Sequence, residues 1–227
     1  MGDLTGKSIY GFGDSLIAGH LLKVGILDYV TSVNKMRYTN YAVNGATVIP
    51  GTADRLPGIA DVGDIALQIA QASIEVPDYI CVNGMTNDAF MLIAESYLGK
   101  ISDSYDGGYD LSTFTGAFEN ICYQLRCKYM ESKLIYITPH KMPVRSIAAQ
   151  QTLYARVKEV CFKWSIPVVD VYGCGEINTR IDAMRDRYSY YSDRMTTGGD
   201  GMHLNPDGYR IWYAPMIETE LMKYCMD

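Results

Sequence analysis

Little in this chain invites a metal, a nucleotide or a nucleic acid. Its 227 residues include three histidines; His20, His140 and His203 lie far apart and show no metal-ligand spacing. The cysteines Cys81, Cys122, Cys127, Cys161, Cys174 and Cys225 form no CxxC pair and no zinc-type pattern. A chain of this length can bury a core without disulfides, so free and mostly buried thiols are expected. Neither a Gly-x-x-x-x-Gly-Lys-Ser/Thr loop nor a dinucleotide-type glycine repeat is present, which removes two common phosphate cradles. Lys and Arg number 20 against 26 Asp and Glu, a net charge of -6. With no dense basic run there is no electropositive stripe for a nucleic acid to follow. No apolar run approaches the roughly 18 residues of a membrane span, so no membrane partner is expected. Nor does a charged start lead into an apolar stretch, because Lys7 is soon followed by Gly11, Gly13 and Asp14; a cytoplasmic location is the expectation.

What remains is the composition of an ordered globule, 48% hydrophobic and 20% charged, with no composition break or internal repeat; a single domain over 1–227 follows. Lys7 to Phe12, closed by glycines, reads as a first strand. Leu16 to Val24 suits a helix or helical turn, and Tyr38 to Val43 a second strand ended by Asn44-Gly45. Asp61 to Gln71 carries Ile65, Ala66 and Ile69 at helical spacing. Tyr79 to Val82 is a third strand, and Asn87 to Glu95 opens a helix. Ile101 to Leu111 has no period and marks an excursion at the rim. Phe114, Ala117, Phe118, Ile121 and Leu125 form a stripe on a helix running from Ser112 or Thr113 to about Met130. Lys133 to Ile137, Ile147 to Trp164 and Pro167 to Val171 continue the alternation as strand, helix and strand. Gly173 to Gly199 looks irregular, with room for a helical part. Asn205-Pro206 resembles a helix cap with proline at the first helical position, and Pro215 is expected to kink or divide the last segment. Strands alternating with helices predict an α/β fold around a five-stranded, mostly parallel sheet.

In an open parallel sheet, ligands bind beyond the carboxyl ends of the strands, so the polar residues after each strand share one edge. They are Gly13-Asp14-Ser15, Asn44-Gly45, Asn83 to Asp88 and Thr138-Pro139-His140, joined by Asp200-Gly201-Met202-His203 near the far end. A serine hydroxyl is a weak nucleophile until a base takes its proton, and the base works best when a carboxylate fixes its tautomer. Asp200 can accept from one nitrogen of His203 while the other meets Ser15. The N–H groups of Ser15 and Gly45 and the Asn87 amide are suitable donors for a tetrahedral oxyanion. This set is complete for acyl transfer to water, with no metal or organic cofactor required. The bland alternatives are that Ser15 caps a helix, Asn87 caps the helix after it, and Gly45 merely makes a turn. Asp14 reads as structural, holding the nucleophile loop. His20 is a rival base without a paired carboxylate nearby in sequence.

These blocks resemble those of the GDSL, or SGNH, hydrolase superfamily. Gly11-Phe12-Gly13-Asp14-Ser15-Leu16 matches its first block and Asn40-Tyr41-Ala42-Val43-Asn44-Gly45 resembles its second. Gly84-Met85-Thr86-Asn87-Asp88 resembles the third, and Asp200-Gly201-Met202-His203-Leu204-Asn205 the last. The resemblance implies a three-layer α/β/α, flavodoxin-like sandwich, nucleophile Ser15, oxyanion donors Gly45 and Asn87, and a triad completed by Asp200 and His203. The third block usually reads Gly-x-Asn-Asp; here an extra residue separates Gly84 from Asn87, or Met85 stands where glycine is expected, which reshapes the turn beside the oxyanion site. Ser15 is flanked by Asp14 and Leu16 rather than set in a Gly-x-Ser-x-Gly elbow, which disfavours an ordinary α/β-hydrolase.

Met85, His140, Tyr188, Tyr190 and Tyr191 are candidate substrate contacts. His140 is otherwise a solvated loop residue, and the tyrosines otherwise serve loop packing or a homo-oligomer contact. Polar, tyrosine-rich loops without an extended apolar lid point to a small acyl group, chiefly acetyl, on a carbohydrate. The alternatives are a lysophospholipase or thioesterase with a longer acyl pocket, and a catalytically inactive carbohydrate-binding or structural module.

Overall fold

The computed structural model describes residues 3–51, 63–91, 97–191 and 198–225. Strand β1 (Ser8–Phe12) leads through Asp14 into the four-residue helix α1 (Ser15–Ala18). Helix α2 (Asp28–Val33) and strand β2 (Arg37–Asn40) follow, then α3 (Ile65–Gln71), β3 (Tyr79–Val82) and α4 (Asp88–Met91). The second half holds α5 (Phe114–Lys128), β4 (Lys133–Ile137), α6 (Ile147–Lys163) and β5 (Val168–Val169), then α7 (Val171–Cys174) and α8 (Asp182–Tyr188). The short α9 (Pro206–Gly208) runs through a π-helical turn at Tyr209–Tyr213 into α10 (Ala214–Met222). The five strands form one sheet in the order β2-β1-β3-β4-β5, and every pairing is parallel. This is the flavodoxin-like order, whose switch point lies between β1 and β3.

Strand residues alternate between the two faces, as a period of two requires. Tyr10, Phe12, Ile80, Val82, Leu134 and Tyr136 join a core with the inner faces of α3, α5 and α6. Ile9, Tyr79, Cys81, Ile135 and Ile137 point the other way, against Leu16, Ile17, Val30, Tyr213, Ile217 and Leu221. Helices therefore cover both faces, and the sheet's carboxyl edge is left for loops. The cap residues that open helices are polar where the sequence reading needs them: Thr113 accepts from the Gly116 N–H and Asn205 from the Gly208 N–H. No helix among the described residues is long and apolar enough to cross a membrane.

Several boundaries differ from expectation for local reasons. Asn40 accepts the Ala42 N–H at 3.0 Å and bends the chain, so β2 ends at Asn40 rather than Val43. Asp170 accepts the Gly173 N–H and caps α7, which cuts β5 to two residues and makes Val171 helical. The helical part of the 173–199 stretch is α8, which fully buries none of its residues, so no apolar stripe set its bounds in advance. Short α2 was likewise unannounced. Pro215 stands where the last segment divides: the π-helical turn ends at Tyr213, and the proline falls in the first turn of α10. The Ala214 N–H just before it reaches back to the Tyr209 carbonyl, closing the wider π turn. The helices expected over 61–71 and 87–95 are present over Ile65–Gln71 and Asp88–Met91, residues 61–62 and 92–95 lying outside the described residues. All six cysteines are free; Cys81, Cys122 and Cys161 are buried, Cys225 is half-buried, and Cys127 and Cys174 are exposed.

Candidate active site

Ser15 opens α1 at the carboxyl end of β1, and the loop that carries it is held from two sides. The Gln68 side chain on α3 accepts the Gly13 N–H and donates to the Gly13 carbonyl, each at 2.9 Å. Gly13 passes so close to the Asn83 carbonyl that a Cβ there would collide with it, so only glycine fits. Asp14 accepts the Leu16 N–H at 2.9 Å, making it the helix cap and leaving Ser15 free of that duty. Burial raises the Asp14 pKa, opposed by the Leu16 N–H, Thr86 and the charges of His203 and Arg145. The Asp14 Oδ2 and the Thr86 hydroxyl are both buried without a well-formed hydrogen bond.

The Ser15 Oγ lies 2.8 Å from His203 Nε2, and His203 Nδ1 lies 2.5 Å from Asp200 Oδ2. An ionised Asp200 can only accept, so Nδ1 carries the proton and Nε2 is left to take the serine proton. Burial pushes the Asp200 pKa up, but the hydrogen bond and charge of His203 and the His203 and Met202 N–H groups together hold it below its ordinary value. Those N–H groups reach Asp200 Oδ1 at 2.8 and 2.9 Å. The loop is bracketed by the chain after α8: the Tyr190 N–H donates to the His203 carbonyl at 2.7 Å and the Asp200 N–H to the Tyr190 carbonyl at 2.9 Å.

The loop after β3 meets the loop after β2. The Asn87 amide donates to the Ala46 carbonyl at 2.9 Å, which spends one of its two N–H bonds. Asp88 accepts the Val48 and Ile49 N–H groups at 3.0 to 3.1 Å; burial lifts its pKa to about 6, against the pull of those N–H donors. Between them they clamp the turn containing Gly45, whose φ is +81°. Arg145 ties the same region to the base: its Nε donates to the Thr86 carbonyl at 2.8 Å and one terminal nitrogen faces the Met202 sulfur at 3.6 Å. Its guanidinium lies over the Phe90 ring. Burial lowers the Arg145 pKa to about 10, against the opposing charge of Asp14.

Ser15, His203 and Asp200 thus meet as the sequence implies, and Asn87 and Gly45 lie in the two clamped turns beside them. Two expected substrate contacts are corrected. Met85 is 1% exposed and packs in the core, with φ at +75°. This places the departure from the usual third block inside the turn, not in the cleft. His140 is 0% exposed, and both ring nitrogens are occupied, Nδ1 by Tyr213 Oη at 2.9 Å and Nε2 by the Gly201 carbonyl at 3.1 Å. It is neither a substrate contact nor a solvated loop residue. Tyr188 packs edge-on against Trp212, Tyr190 touches the triad loop, and Tyr191 is exposed.

Gln68 and Arg145 were missed, His20 was weighed only as a rival base, and Asp88 was read only as the end of the third block. Gln68 had a signal: it stands on the apolar stripe of α3 between Ile65 and Ile69, where a polar residue must find a buried partner. Arg145 had none, because its partners Thr86 and Met202 are remote in sequence. His20, Asp200 and His203 offer ligand atoms within 4.8 Å of one another. The two imidazoles are parallel within 3°, with centroids 3.8 Å apart, so a metal in the plane of one ring would lie off the plane of the other. That set does not fit a metal.

A model of the GDSL-like lipase/acylhydrolase family matches residues 12–211. The chain belongs to that family. None of the curated proteins matches it significantly in sequence. Among solved structures, it is similar to a Lactobacillus plantarum protein at 19% identity and a TM-score of 0.76, covering 98% of this chain and 99% of that one. A putative GDSL-like lipase from Bacteroides ovatus aligns at 18% identity and a TM-score of 0.63, covering 96% and 99%. The lipase/acylhydrolase from Enterococcus faecalis aligns at 21% and 0.58, covering 97% of each. At these identities the likeness speaks to the fold. Family membership together with the Ser-His-Asp arrangement makes this GDSL-like chain a serine ester hydrolase.

Proposed function

We propose that this hydrolase, as one domain over 1–227, removes small acyl groups, chiefly acetyl, from a carbohydrate through an acyl-enzyme on Ser15. The observation that carries the reaction is the unbroken relay from Ser15 Oγ through His203 to Asp200. His203 takes the serine proton as Oγ attacks the ester carbonyl, then returns it to the departing alcohol; a water activated by the same nitrogen releases the acid. Asp200 keeps the tautomer and steadies the imidazolium. The N–H groups of Ser15 and Gly45 have no acceptor among the described residues, and Asn87 has an N–H to spare. These three are assigned to the oxyanion.

Ser15 and His203 are only 5% and 4% exposed, so the opening over the nucleophile is narrow, which favours a short acyl group. Tyr190 and Tyr191 stand on the side of the base, where aromatic faces suit a sugar. The description of the Bacteroides and Enterococcus proteins as lipases, together with Leu21 at 68% exposure, favours a second reading with a longer acyl chain. Hydrolysis of 4-nitrophenyl esters of increasing acyl length, alongside an acetylated sugar, separates the two. The expected optimum is acetyl; an optimum at long chains replaces this reading with the second. A fluorophosphonate probe is expected to label the chain but not Ser15→Ala, and a folded chain that resists labelling would be a binding module instead.

A further inference from the structure

Outside the relay, His20 stands face to face with the base. Its ring lies 3.8 Å from that of His203, centroid to centroid and parallel within 3°, while Tyr190 closes on it edge-first at 5.6 Å. No hydrogen bond to a described residue uses either His20 nitrogen. The ring is therefore held by its faces rather than by its polar atoms.

The chain spends conformational strain to put it there. Helix α1 ends at Gly19, and His20 and Lys23 follow with φ of +35° and +52°, a region that side chains adopt only when their surroundings impose it. The loop folds back on α1: the Val24 N–H donates to the Gly19 carbonyl at 3.2 Å and the Ile26 N–H to the Leu16 carbonyl at 2.8 Å. Gly25 lies against the Ile17 carbonyl with no room for a Cβ. A return so tight leaves the His20 ring over His203.

We propose that His20 is a positioning residue whose ring acts as a flat platform beneath His203, fixing the imidazole between Ser15 and Asp200 and stabilising the imidazolium formed in each half-reaction. A neutral aromatic face attracts a cation lying on it, whereas water in the same place would let the base swing. Burial lowers the His20 pKa, as does the neighbouring His203 charge, against the pull of Asp200, so the platform is neutral when His203 takes its proton. This role rests on the Ser15–His203 relay, and it asks of residue 20 a flat ring and nothing of its nitrogens.

His20→Ala and His20→Phe decide it. Alanine is expected to lower kcat by about tenfold with KM changed less than about twofold, and phenylalanine to restore kcat to within about threefold of the original chain. Should alanine prevent folding, His20→Gln takes its place as the ring-free variant. The downfield proton resonance of His203 Nδ1–H reads the stack without any ester, and is expected to persist in His20→Phe and to broaden in the ring-free variant. A ring-free variant as active as the original, or a phenylalanine variant as impaired as the ring-free one, overturns the proposal. If Ser15→Ala retains hydrolysis in the same assay, the relay itself is wrong, a failure the proton resonance does not share.

Discussion

Two loops at the carboxyl edge of the sheet each carry a histidine, and they put it to opposite uses. In the loop after β4, His140 is sealed: Tyr213 Oη accepts its backbone N–H and donates to Nδ1, so Nε2 must carry the proton that the Gly201 carbonyl accepts. In the 200–204 loop, His203 meets a carboxylate on one nitrogen and a serine hydroxyl on the other. Both rings are almost wholly buried, so burial does not separate them. Partner chemistry does: a carboxylate can support a cationic imidazole through a reaction, whereas a hydroxyl and a carbonyl merely hold a neutral one. His140 is thereby a strut under the catalytic loop, gripping Gly201 two residues from His203.

The sharpest way to break this contrast is to remove each function in turn. Ser15→Ala and His203→Ala are each expected to lower kcat about 10⁴-fold or more, with the double variant little worse than either, because the two act as one unit. Assays on an acetyl ester check this, and a His140→Gln variant losing as much in kcat would erase the distinction. Asn87→Ala is expected to cost about 10²–10³-fold in kcat as an oxyanion donor is lost; unchanged turnover in the folded variant would return Asn87 to a structural role tying down Ala46.

The strut predicts a pH signature of its own. Burial lowers the His140 pKa to about 4, opposed by the Gly201 carbonyl and the Asp200 charge. An unfolded histidine titrates near about 6.5. Stability is therefore complete above that value. As the pH falls from there towards 4, the unfolded chain gains a proton that the folded chain refuses, and roughly 3 kcal/mol is lost. Urea unfolding at pH 7 and pH 4.5 is expected to show this loss, and His140→Gln to flatten it despite lower stability at pH 7. Parallel behaviour of the two chains would remove His140 as its source. Smallest of all, Tyr213→Phe leaves the His140 N–H and Nδ1 without their partner and is expected to cost about 1–3 kcal/mol of stability, read as a lowered midpoint of denaturation.

Much of this was legible beforehand, and the reason varies with the residue. Tyr79–Val82 and Lys133–Ile137 match their expected bounds because short apolar runs bounded by turn residues leave few alternatives. The bounds of helix α8 were not readable because only Met184 and Tyr188 turn towards the core, half-buried, too narrow a stripe to set a period. In the site, Asp200 and His203 were readable as a pair since the carboxylate and the base are neighbours. Met85 and His140 were misplaced because a loop position after a strand says which edge a side chain reaches, not whether it faces the cleft or the core.

The sequence alone determined the alternation of strands and helices, the edge at which chemistry collects and the residue types available for acyl transfer, because these depend on period, turn residues and functional groups close along the chain. Only the tertiary structure decided which histidine is base, strut or platform. Those assignments hang on Ser15 meeting His203 across 188 positions, Tyr213 meeting His140 across 73 and the strained return after Gly19. An imidazole takes its role from the groups around it, and those groups arrive by folding.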